Sequence, residues 1–168
     1  LDVALSPFQT FAFSGTVLDS LTGQVVPNAT VIISSSLGLS YKSTADVSGA
    51  FTFSSVVPDD YTIYAGKWGY RTSCVMQTLI PGTPIVATIA PGYYDDFTFD
   101  YGWAISGTSG NSWERGEPVG TYYGSSSESN PEFDVTTDCS DSCFVTDNGG
   151  APYNATDVDN GNTILTSP

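Results

Sequence analysis

Through the first ninety residues apolar and polar positions alternate with the two-residue period of a strand, and no window repeats apolar residues at the three-four spacing of a helix. Phe11, Phe13, Gly15 and Val17 share one face of a first strand. Ala29, Val31 and Ile33 alternate with Thr30 and Ile32, and a short strand is expected over 40–44. Phe51 and Phe53 mark the next strand, and Tyr61, Ile63 and Ala65 the one after. Residues 75–79 and 85–89 supply two more. The punctuation between them is turn chemistry: Leu21-Thr22-Gly23-Gln24, Asp46-Val47-Ser48-Gly49, Pro58-Asp59-Asp60 and Pro81-Gly82-Thr83-Pro84. Seven short strands at this spacing predict an all-β fold built on a β-sandwich.

After Pro91-Gly92 the texture changes, which sets an expected boundary between residues 1–91 and 92–168. Tyr93, Tyr94, Phe97, Phe99, Tyr101 and Trp103 read as an aromatic strand, with Phe97, Phe99 and Tyr101 on one face. Polar loops follow at 106–112, 124–131 and 148–162. Between and after them, short strands are expected at 132–135, 144–146 and 163–166. Four strands do not close a sandwich. The acidic half is therefore expected to need completion by a metal, a sibling subunit or further polypeptide.

Charge sharpens the division. Residues 1–91 hold five acids and three bases, whereas 92–168 hold thirteen acids and one base, Arg115. The net charge of −14 leaves no basic patch to neutralise phosphates, so nucleic acid and anionic lipid are disfavoured partners. No apolar run reaches the length of a membrane span. The chain has no histidine, which removes the commonest general base and zinc ligand. Carboxylate pairs suffice for a glycosidase, but with so many acids such pairs arise by chance. Leu1 is not a start residue, the chain reads as already processed, and its low lysine content fits an extracellular or cell-surface protein. Cys139 and Cys143 lie four apart in an Asp/Ser-rich loop, either as a local disulfide or as two thiols; Cys74 reads as a small packed apolar group.

The motifs of the first half carry a resemblance. Gly15-Thr16-Val17 with Thr22-Gly23, Pro27-Asn28-Ala29-Thr30-Val31, Asp46-x-x-Gly49-x-Phe51, and Tyr61-x-Ile63-x-Ala65 before Gly69-Tyr70 resemble the carboxypeptidase regulatory-like domain. The resemblance implies a seven-stranded transthyretin-like sandwich that is non-catalytic and packs beside catalytic or adhesive domains. The second half resembles the first part of a jelly-roll accessory domain of secreted Bacteroidetes-type proteins. That likeness rests on Trp113-Glu114-Arg115-Gly116 with Pro118, Asn130-Pro131, Cys143-x-Val145-Thr146-x-Asn148, and Asp157-Val158-Asp159 leading to Gly161, Thr163 and Leu165. It implies a partial jelly roll, in which a structural Ca²⁺ is common. Asp157 and Asp159 face one way in extended chain, and Asp95, Asp96 and Asp100 flank the expected first strand, making these five the candidate calcium ligands. The bland alternative is five solvated turn aspartates.

Three short patterns mark candidate glycosylation. Asn28-Ala29-Thr30 and Asn154-Ala155-Thr156 are sequons, and Asp19-Ser20-Leu21 resembles a site of O-glycosylation at Ser20. Tyr122, Tyr123 and Trp68 are candidates to stack on glycans, and strand packing is the competing use. Arg115 reads as structural, pairing with a carboxylate or stacking on Trp113. Two classes of function remain. In one, the chain is a non-catalytic structural module that pairs strands with other copies or chains of the same assembly, with 1–10 or 162–168 as donor segment. In the other, it is a set of accessory domains from a secreted multidomain peptidase. A carbohydrate-binding module is a third, weaker alternative.

Overall fold

The computed structural model describes residues 8–124, 127–135, 137–149 and 157–168. The chain divides into two compact units, Leu1–Tyr94 and Asp95–Pro168.

The first unit is a sandwich of two four-stranded sheets. β1 (Phe11–Asp19), β2 (Thr30–Ser35), β3 (Ser40–Thr44) and β4 (Ala50–Val56) are followed by β5 (Asp60–Gly66), β6 (Tyr70–Arg71), β7 (Ser73–Thr78) and β8 (Ile85–Pro91). One sheet runs β4-β1-β8-β6 and the other β3-β2-β5-β7. β1 pairs antiparallel with β4 and parallel with β8. The seven expected strands are present; the eighth, β6, is too short to leave a periodic signature. Alternation puts Phe13 and Val17, Val31 and Ile33, Phe51 and Phe53, Tyr61 and Ile63, and Ile85 and Ile89 into one buried core. Gly15 belongs to this inward set, and its missing side chain is where the Phe51 ring lies.

The second unit is built of two-stranded ribbons. β9 (Ala104–Gly107) pairs with β14 (Thr163–Thr166), β10 (Trp113–Gly116) with β13 (Cys143–Thr146), and β11 (Thr121–Tyr123) with β12 (Ser127–Asn130), all antiparallel. A lone two-stranded ribbon is marginal in water. Among the described residues of this unit, Phe99 and Pro118 are the buried apolar side chains. Phe97, Trp103 and Phe144 make a small aromatic cluster, with ring centroids 5.2–6.1 Å apart.

Three expectations for this unit change. The aromatic stretch 93–103 is not a strand, because aspartates capture its backbone. Phe97 N–H donates to Asp95 Oδ1 at 2.9 Å, Thr98 N–H to Asp96 Oδ1 at 3.2 Å, and Gly102 N–H to Asp100 Oδ1 at 2.9 Å. Each such Asx turn bends the chain and removes a donor from any ladder. Phe97 consequently sits at φ +56°, outside the extended region. The strand expected at 132–135 is displaced upstream to β12. Segment 162–168, considered as a donor to another chain, holds β14 and is paired within this one; residues 1–7 of the other candidate donor lie outside the described residues.

Candidate functional site

Turns hold most of the polar chemistry. In the sandwich, Asp19 Oδ1 accepts the N–H groups of Leu21 and Thr22 at 2.8 and 2.9 Å. Asp46 Oδ1 accepts from Ser48 N–H, Ser48 Oγ–H and Ala50 N–H at 2.7–3.0 Å. Hydrogen bonds to the ionised form favour it. The Thr22 amide, aided by Leu21, holds the Asp19 carboxyl below its usual range, and the Ser48 hydroxyl and amide do the same for Asp46. Both groups add stability above pH 3.8, the ordinary aspartate value, and lose it as pH falls through their depressed folded values.

The candidate calcium ligands behave as turn residues too. Asp95 uses Oδ1 on Phe97 and takes the Trp103 indole N–H on Oδ2 at 2.7 Å. Asp96 is buried and Asp100 is exposed, each capping its own turn. Asp157 and Asp159 are exposed, and the Asp157 carbonyl accepts the Asn111 side-chain amide at 2.6 Å. Among the described residues, no three acidic or cysteine side chains gather as a cation site. Asp95 directs both carboxylate oxygens at N–H donors.

The cysteines are paired differently from the sequence expectation. Cys74 and Cys139 are each disulfide-bonded, and Cys143 is a free thiol, so the local Cys139–Cys143 bridge is corrected. Cys143 opens β13 and is held opposite Gly116 by the β10 ladder. The intervening loop is shaped by its own turns, with Ser140 N–H on Asp138 and Ser142 N–H on Ser140 Oγ. Burial, aided by the Asp134 charge, pushes the Cys143 thiol up. Cys74 is exposed on β7 and is not a packed apolar group.

Of the candidate glycosylation sites, Ser20 and Asn28 are both exposed on turns, Asn28 at φ +60°. Asn154 lies outside the described residues. Arg115 donates to the Phe97 carbonyl, a structural use on the rim of the aromatic cluster.

One feature was not foreseen from sequence. The loop before β11, β11 itself and the segment after β12 border an open notch of about 280 Å³, lined by Glu117, Pro118, Val119, Tyr122, Glu132 and Phe133. Tyr122 Oη donates to Glu132 Oε2 at 2.8 Å, and Glu132 N–H donates to Glu128 Oε1 at 2.9 Å. The loop is clamped by Asn148, which accepts from Val119 N–H at 2.9 Å and donates to the Glu117 carbonyl at 2.7 Å. Glu132 accepting its proton keeps the Tyr122 hydroxyl protonated to higher pH than usual. Sequence offered no signal, because the lining residues come mostly from the segments flanking a ribbon whose first strand is three residues long.

Residues 12–91 match the family model of the carboxypeptidase regulatory-like domain. The N-terminal sandwich is thus similar to that domain over most of its length. No curated protein matches the chain.

Proposed function

We propose that the chain is a non-catalytic structural module of the cell exterior that associates with other copies of itself through strand edges, as in a surface filament. The observation that carries this reading is β7. It is the terminal strand of the β3-β2-β5-β7 sheet, and it presents Val75 and Met76 at 60% and 74% exposure. An apolar edge strand is a template for pairing with another chain. A heterologous contact of that kind propagates head to tail when its rotation does not close. Two disulfide-bonded cysteines support an oxidising exterior. Absence of catalysis is supported by the use of carboxylates as turn caps and by the regulatory-like family of the sandwich.

The test is sedimentation velocity at micromolar concentration with electron microscopy of native material. Association that Met76→Lys weakens supports the reading, and a monodisperse monomer contradicts it. The family match also supports a second reading, in which the sandwich is an accessory domain beside a peptidase domain. A longer open reading frame with a zinc-peptidase motif would favour that one.

A further inference from the structure

We propose that the notch between Glu117, Tyr122, Glu132 and Phe133 receives the ammonium group of Lys42 from a second copy of this chain. This rests on the self-association reading and adds to it a second contact, distinct from the β7 edge.

The notch is shaped for a cation on a hydrocarbon stem. Glu117 and Glu132 supply negative charge, while Pro118, Val119 and Phe133 supply apolar wall. A lysine buries its methylenes along such a wall and keeps its charge at the mouth. Tyr122 lines the same notch. Its hydroxyl is turned toward Glu132, which fixes the carboxylate in place.

The chain's own cations decide the occupant. It has four basic residues. Lys67 Nζ donates to the Pro27 carbonyl at 2.9 Å, Arg71 lies 5.5 Å over the Tyr94 ring, and Arg115 donates to the Phe97 carbonyl. Lys42 alone has no such use among the described residues, and it stands exposed on β3, the edge opposite β7. A lysine there discourages strand pairing at β3. It is left to meet a carboxylate of another molecule, and charge complementarity fixes which faces meet.

The test uses the full chain in sedimentation velocity at rising concentration and low salt. Lys42→Glu and Glu132→Lys are each expected to weaken association on the order of tenfold, and an equimolar mixture of the two is expected to recover the lost contact. Carbodiimide is expected to join Lys42 to Glu117 or Glu132 between copies. Lys42→Gln and Glu132→Gln, which retain side-chain size, guard against misfolding of the reversed variants, and circular dichroism checks the fold. Association unchanged by Lys42→Glu and Lys42→Gln overturns this proposal and leaves the β7 reading standing. A wild-type monomer at every concentration overturns both.

Discussion

Replacing Gly15 by alanine adds one methyl group at the most crowded point of the sandwich. Gly15 lies mid-strand in β1, opposite Phe51 on one side and Ile85 on the other. A Cβ there would fall 2.8 Å from Phe51 Cε1 and closer still to Phe51 Cζ and the Ile85 carbonyl oxygen. The ring has nowhere to go, since Phe51 is 2% exposed and packs edge-on against Phe53 at 5.7 Å. The carbonyl is backbone within the β1–β8 ladder and moves only if the ladder moves. Overpacking of this kind costs about 1–3 kcal/mol, and the backbone obstruction argues for the upper end. Against it, alanine stiffens the unfolded chain and returns about 0.4–1 kcal/mol. The net loss is about 2 kcal/mol. For a domain of this size that lowers the melting temperature by roughly 10–15 °C. Thermal unfolding of the whole chain followed by circular dichroism reads it. The double variant Gly15→Ala, Phe51→Leu removes one of the two obstructions, so its loss should fall short of the sum of the single losses. A Gly15→Ala protein within 0.5 kcal/mol of wild type would refute the packing argument.

Tyr61 is fully buried, and its hydroxyl donates to the Val57 carbonyl at 2.8 Å, so Tyr61→Phe should cost about 1 kcal/mol in urea unfolding. Burial raises its pKa to about 12 from 10.0. Wild-type stability should therefore fall by on the order of 2 kcal/mol as pH rises from 10 to 12, a loss Tyr61→Phe should lack. Alkylation of the unreduced, denatured chain should label Cys143 and leave Cys74 and Cys139 unlabelled, with all three labelled after reduction. In the native state at neutral pH, labelling of Cys143 should be slow, because its raised pKa keeps the thiol protonated. A labelled Cys74 peptide without reduction would contradict the pairing.

The sandwich was legible because burial and strand period agree along it. Val31 and Ile33 are inward and buried, Thr30 and Ile32 are half-covered, and Gly49 at φ +75° turns the chain where Asp46-x-x-Gly49 predicts. Alternation failed at Phe97, Phe99 and Tyr101, where the same pattern is present but Asp95 and Asp96 before it and Asp100 within it are short acceptors that seize nearby amides. Ribbon strands of three or four residues, such as β9 and β11, are shorter than the window in which a period is measurable. The cysteines were misread for a related reason. Sequence proximity favoured Cys139 with Cys143, whereas the ladder position of Cys143 opposite Gly116 is set by long-range pairing. The notch combines both difficulties, joining Glu117 to Phe133 across a ribbon that the sequence does not announce.

Eighteen acids against four bases leave salt bridges unable to absorb the negative charge of this chain. The structure uses another sink. Backbone amides at bends are donors without ladder partners, and each needs an acceptor. Asp19, Asp46, Asp95, Asp96 and Asp100 serve seven such amides, and the first two are thereby held ionised to lower pH. An aspartate answering the amide two residues ahead is positioned by its own turn and has no need of a distant partner. Local turn geometry alone accounts for where these carboxylates sit. By the same criterion Glu117 and Glu132 stand apart. They come from two segments, face one cavity, and take no base from the described residues of their own chain. Convergence without an internal counter-charge is what makes that notch, among all the acidic positions, the place to look for a partner.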